Sequence, residues 1–401
     1  MPETMETAKQ PDECPVRRAC GRIGAAAAVL IVAAGVLLPF GWSYWVGVAQ
    51  QRALDELIAM HETTGALAFS KGDYQAALTA FARARGIRGT PEIERKVART
   101  RAELVAIRPD LLDARVVPDL EYECRWLLAS DASAAAACRV VTGHIAALGS
   151  NPDAAKKAYE EALQKDKDHA GAHLGLALLA YRSGDAKTAQ SEFDAVLARV
   201  PDHLDALIGL GDIHLAAGEA DQAIDSYTKA IRAREDARAH HGLGLALART
   251  RKTQEAVTEL QKSIALNPQA FDSYVALGNL LAGAGAFPQA EQAFRGALAI
   301  RQDPQVQRSL ASVLTRLGRA AEAMQLLTTL LNAGARDPQV LLEAARALEA
   351  LGRKDEARGF YEATANAVKD SEGSENQELS EAIRKEAEAG LQRTTSPAQT
   401  R

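Results

Sequence analysis

Aromatic residues make up only 5% of the 401-residue sequence, and cysteine occurs four times. A chain so short of large rings has to close its core with aliphatic and small side chains, and 47% of its residues are hydrophobic. Four cysteines in a chain this long exclude a small disulfide-framed domain. Basic charge is not in excess either: 47 Lys and Arg stand against 52 Asp and Glu, a net charge of −5, so no nucleic-acid partner is indicated. HExxH, CxxC, a Walker loop and a nucleophile elbow are all missing. The string 242–248, GLGLALA, looks like part of a dinucleotide loop, yet no strand precedes it. His169 and His173 have the spacing for a shared metal but straddle a junction between repeats, and packing explains them better. No catalytic residue, metal ligand or cofactor is assigned.

Long apolar runs are equally scarce, with one exception. Residues 23–48 contain no charge, and at ~1.5 Å per residue the stretch reaches about 39 Å, more than a hydrocarbon core of roughly 30 Å. Trp42, Tyr44 and Trp45 at its far end match an interfacial aromatic belt. A cleaved signal peptide is the rival reading, since Gly47-Val48-Ala49 is a small-x-small site; run length and the place of the aromatics favour a retained transmembrane helix. Arg17, Arg18 and Arg22 precede it, so the positive-inside rule puts the polar tail 1–22 in the cytoplasm and residues 50–401 across the membrane. Arginine outnumbers lysine beside abundant alanine, which points to a bacterial genome and makes that far side the periplasm, with the chain on the inner membrane. Cys14 and Cys20, in the tail, read as reduced thiols, with palmitoylation the alternative.

What the sequence has in quantity is small residues in a fixed register. Ala155, Ala189, Ala223, Ala256, Ala290, Ala323 and Ala357 follow one another at 33 or 34 residues. Five residues before them stands glycine in most copies (Gly184, Gly218, Gly285, Gly318, Gly352), with Ser150 and Arg251 as departures. Four residues after them stand Tyr159, Phe193, Tyr227, Leu260, Phe294, Leu327 and Tyr361. Twelve residues before them is another small residue, from Gly143 to Ala345. This spacing predicts two antiparallel helices per repeat, small residues where backbones approach and large ones filling the gap to the next pair.

These columns resemble the tetratricopeptide repeat, most fully at Tyr274, Leu277, Gly278, Ala290, Phe294, Ala297 and Pro304. The resemblance implies an all-α, right-handed superhelical solenoid of antiparallel helix pairs, here preceded by one transmembrane helix. The expected organisation is a first repeat over 50–91, a degenerate helical pair with an insertion over 92–135, and seven contiguous repeats over 136–371. A capping helix over 376–392 and a tail over 393–401 complete it. Once these are assigned, no stretch of domain size is left for a catalytic fold, and the chain reads as a non-enzyme.

Cys124 and Cys138 lie equidistant from Asp131, in the turn between two helices, which could bring them face to face. Two readings stand: a disulfide, worth roughly 3 kcal/mol for a loop of about 15 residues, or two buried reduced thiols.

In the resembled family, ligands lie in the concave groove lined by first helices. Carried onto this sequence, the lining columns bring in His144, Asp205 and Asp212 in the N-terminal half, and Arg249, Asn279, Arg308, Arg316 and Arg346 in the C-terminal half. The expectation is a non-catalytic scaffold whose arginine-bearing half binds an acidic or extended peptide of a protein partner, in bacterial envelope assembly or secretion. The alternative is a regulatory subunit of a membrane enzyme or transporter, contacting it through 23–48. Homodimerisation through the groove or the end cap also stays open.

Overall fold

A computed structural model describes residues 41–370 and 377–395, and within them the chain is helical throughout, with no strand. It divides into two compact units after Leu176. The first holds α1 (Gly41–Ser70), α2 (Tyr74–Ile87), α3 (Pro91–Ile107), α4 (Val117–Ser130), α5 (Ala135–Leu148), α6 (Pro152–Lys165) and the start of α7 (Ala170–Arg182). The second begins within α7 and continues with α8 (Ala186–Arg199), α9 (Leu204–Ala216), α10 (Ala220–Ala233), α11 (Ala237–Arg249), α12 (Thr253–Leu266) and α13 (Phe271–Gly283). It ends with α14 (Phe287–Ile300), α15 (Pro304–Arg316), α16 (Ala320–Asn332), α17 (Pro338–Ala350), α18 (Lys354–Asp370) and α19 (Gln377–Thr395).

The tail 1–22 and most of the expected transmembrane helix lie outside the described residues; only 41–48 of that helix are within them, as the start of α1. Among the described residues no helix is long and apolar enough to cross a membrane. α1 runs without a break from Gly41 to Ser70, the latter end packing on α2 through Ile58. Of the C-terminal tail, 396–401 lie outside the described residues, whereas 393–395 are the last residues of α19. The helix outruns the expected end at 392 because Arg393 is held in place, donating to both carboxylate oxygens of Glu349 at 2.9 and 3.1 Å.

Each turn inside a pair is built the same way. At Gly218 (φ 80°) the Gly218 amide donates to the Leu215 carbonyl and the Glu219 amide to the His214 carbonyl, so the last carbonyls of α9 are satisfied by a chain that has turned left-handed. Ser150 and Arg251 make the same two bonds at φ 57° and 61°, without glycine's freedom. In three pairs the following helix is also capped, by Asp73, Asn151 and Asp185, each accepting an amide hydrogen three residues on.

All seven register alanines are fully buried. Behind five of them stands a ring, and behind Ala256 and Ala323 stand Leu260 and Leu327. A methyl placed on Gly211 would come within 2.6 Å of the Tyr227 ring, and one on Gly242, in the next pair, within 2.3 Å. Tyr159 sits the same way between Gly143 and Gly175. α19 repeats the second half of this arrangement, with Gly390 under the Tyr361 ring. It therefore packs as the first helix of a further, incomplete pair and not merely as a cover.

The stretch 92–135 departs from the register. It holds α3, a 3-10 turn at Pro109–Leu111, α4 and a second 3-10 turn at Ala132–Ala134, with Asp131 capping the latter through the Ser133 amide. α3, α4 and α5 share one core that includes Val105, Leu120, Cys124, Leu127, Cys138 and Val141. His144, expected in the groove, is instead buried: its Nε2 donates to the Ala106 carbonyl at 3.0 Å and its Nδ1 accepts from the Tyr159 hydroxyl at 2.8 Å. The end of α3 supplies a carbonyl that a strict 34-residue repeat would not place there.

Two outcomes follow for stability. Ser150→Gly and Arg251→Gly each remove a left-handed strain at an exposed site, and each is expected to raise the urea midpoint, by about 1 kcal/mol at most, with the slope unchanged. Burial lowers the His144 pKa to about 4, from 6.5 in the unfolded chain, so the unfolded chain takes up the proton first. The stability this histidine contributes is present above pH 6.5 and lost as pH falls toward 4, by about 3 kcal/mol. Urea melts of wild type and His144→Gln over that range should show the difference between them closing as the pH drops.

Candidate peptide-binding groove

Two adjoining cavities in the second unit share Ser309 and Ser312, on α15. The larger, about 480 Å³, is walled by Arg308, Gln339, Leu342, Glu343 and Arg346, and closed on one side by Ala382, Ile383 and Glu386 of α19. The smaller, about 380 Å³, carries Asn279, Phe287, Phe294 and Arg316. The helices that bear these residues are first members of successive pairs, α13, α15 and α17, so residues one repeat apart point into a common trough.

Four of the five residues expected to line a groove are brought together here: Asn279, Arg308, Arg316 and Arg346. Arg249 is not among them. Its guanidinium donates to the Leu215 carbonyl at 2.8 Å, serving the C-terminal end of α9. Arg346 faces the groove but is already engaged, 2.8 Å from a Glu343 oxygen and 3.6 Å from one of Glu386. Arg308 and Arg316 are different. Among the described residues neither has a hydrogen-bond or ion-pair partner.

The lining thus combines two uncommitted guanidinium groups with neutral donors and acceptors from Asn279, Ser309, Ser312 and Gln339, over a floor of Leu342, Val313 and Phe294. Paired side-chain amides and hydroxyls suit an extended backbone, and a planar guanidinium suits a carboxylate. Sequence columns could not show Glu386 as part of the wall, because it arrives from α19, outside the repeat register.

The acidic residues expected in the N-terminal half are committed internally. Asp205 is paired with Arg238 at 2.9 Å. Asp212 accepts from the hydroxyls of Tyr227 at 2.5 Å and Tyr181 at 3.4 Å, yet burial outweighs both bonds and holds its carboxyl above the ordinary range. The neighbouring histidines are equally occupied: His240 lies between Glu259, 2.6 Å away, and Glu235, 2.9 Å away, and His241 bonds to the Ser273 hydroxyl at 2.9 Å. Farther upstream, His173 bonds to the Lys167 carbonyl, and among the described residues no three His, Cys, Asp or Glu are grouped to hold a metal.

Cys124 and Cys138 are both buried and carry free thiols. The Cys124 thiol is hydrogen-bonded to Cys138, and this bond, with burial second, pushes it far above its ordinary pKa.

Two family models, each described as tetratricopeptide repeat, match the chain. One covers residues 143–190, 176–240, 241–307 and 275–340, and the other 314–374. Among solved structures, a tetratricopeptide repeat protein from Parabacteroides merdae is 14% identical, covering 63% of this chain and 99% of its own, with a TM-score of 0.46. PilF of Pseudomonas aeruginosa is 21% identical over 56% of this chain and 98% of its own, TM-score 0.46. MamA of Desulfovibrio magneticus is 21% identical over 43% and 97%, TM-score 0.39. The comparison with curated proteins gives no match.

Proposed function

The chain belongs to the tetratricopeptide repeat family, and from that premise we propose that it is a membrane-tethered scaffold that captures an extended acidic segment of a partner protein in the groove of α13, α15 and α17. Repeats of this family are typically non-catalytic protein-interaction scaffolds. The observation that carries the finer reading is the pair Arg308 and Arg316, left without partners on the wall of a continuous trough while Arg249 and Arg346 are consumed by internal contacts. A carboxylate entering between them meets charge that the fold does not use. Ser309, Ser312, Asn279 and Gln339 then hold the backbone on either side.

The tether is the apolar segment 23–48, on the strength of its length, its lack of charge and its terminal aromatics. The unbroken course of α1 supports a short connection between that segment and the repeats. Charge on the N-terminal side places residues 50–401 outside the bacterial cytoplasm, which suits envelope assembly or secretion.

An array of ten-residue peptides, acidic, neutral and basic, probed with the full chain tests the groove. Acidic peptides are expected to bind, with affinity falling as salt rises. Arg308→Glu with Arg316→Glu should weaken them by about 10- to 100-fold, as loss of one or two charge-assisted bonds predicts, and shift preference toward basic peptides. Acidic-peptide binding that survives the double substitution would remove the groove from consideration.

A further inference from the structure

We propose that Cys124 and Cys138 are joined in the folded protein as a disulfide that fastens α4 to α5. Both are buried, at 4% and 0% residue exposure, in the one core shared by α3, α4 and α5, and the Cys138 thiol is near enough to raise the pKa of Cys124. The two residues belong to different helices separated by a short 3-10 turn, so a bond between them constrains one helix against the next. Ala134 and Ala137 flank Cys138, which leaves the sulfurs room to approach without displacing a large side chain.

The need for a fastening is visible in α4 itself. Only Leu120, Cys124 and Leu127 are buried on this helix, a seam one residue wide with cysteine at its centre. Its other face exposes Tyr122 at 71% and Leu128 at 41%. Irregular chain lies on both sides of it, and it falls in the stretch that departs from the 34-residue register. Among the described residues no ring stacks on a glycine between α4 and α5 as Tyr159, Tyr227 and Phe294 do in their pairs, and a covalent link between the two helices takes that place.

The chemistry requires an oxidant that itself carries a disulfide, as thiol oxidoreductases and low-molecular-weight disulfides of an oxidising compartment do. One cysteine thiolate attacks a sulfur of the oxidant, forming a mixed disulfide and expelling the oxidant's second sulfur as a thiolate. The other cysteine thiolate then displaces the oxidant, leaving the protein disulfide and the oxidant as a dithiol. Two electrons and two protons pass from the cysteines to the oxidant. Both thiols are closed to solvent once α4 is seated, so the exchange belongs to the folding chain. The inference rests on the extracytoplasmic placement of residues 50–401 for its oxidant, and on nothing in the groove.

Trypsin separates the two cysteines, because Arg115, Arg125 and Arg139 bracket them, giving peptides 116–125 and 126–139 with one cysteine each. The full chain is taken from its own cells under acid quench, alkylated in denaturant without reductant, digested and weighed. The expected result is the two peptides linked, two hydrogens lighter than their sum, with neither sulfur alkylated. Alkyl groups on both cysteines, or either one linked to Cys14 or Cys20, would overturn the proposal. Reduction should also lower the melting temperature of the first unit by about 5–10 °C in wild type and leave a Cys124→Ala, Cys138→Ala variant unmoved. A wild-type transition indifferent to reductant would sink the fastening role. Protease access in spheroplasts locates residues 50–401 independently, and the peptide array reports on the groove whatever the state of the cysteines.

Discussion

A ring pressed against two backbones is the contact on which the repeats depend. Tyr227 fills the space between Gly211, in its own pair, and Gly242, in the pair that follows, so a single side chain sets two interhelical distances at once. No side chain beyond hydrogen can occupy either glycine without moving the ring or the helix. Tyr159 does the same between Gly143 and Gly175, and its hydroxyl reaches His144, which reaches Ala106. The contact thus carries the order of the repeats back into the irregular stretch. It also lets few aromatics suffice, since Tyr159 and Tyr227 each serve two interfaces.

Register of this kind is legible because it repeats. The alanine column, the turn glycines and the ring column each recur at a fixed interval, and a helix has only one face that can satisfy all three. Even the departures kept their meaning, for Ser150 and Arg251 occupy the left-handed turn position that the glycine column marks. That Cys124 and Cys138 share one core was also open to inference, because equal distance from a turn in antiparallel helices is a geometric statement. What periodicity cannot express is which partner a long side chain finds. Arg249 and Arg316 share a column, yet one binds a helix-terminal carbonyl and the other lines a cavity. The helices one repeat earlier, α9 and α13, end at the same offset from the two arginines, so the difference lies in the course of the side chain, which the column does not contain. His144 shares a column with Arg346 and is buried because α3 brings up a carbonyl from outside the period.

Arginine is abundant on these helices, and most of it is used structurally. Arg319 spans Glu291 and Glu322, Arg238 spans Asp205 and Asp236, and Arg393 grips Glu349 beneath the Tyr361 ring. Such bridges between successive helices engage basic and acidic groups together. On the groove wall the guanidinium groups of Arg308 and Arg316 make no such bridge, so a carboxylate entering there meets charge that is not already engaged.

Any stack whose units are alike has a problem of length, because its last unit exposes the very face that receives the next. Here α19 takes the receiving position, with Gly390 under Tyr361. Its remaining surface carries paired charges, Lys385 with Glu381 and Arg384 with Glu388. A second copy offered to that surface would have to strip water from these ions. The helix acts as a chain terminator in the polymer sense: it occupies the growing end of the last described pair.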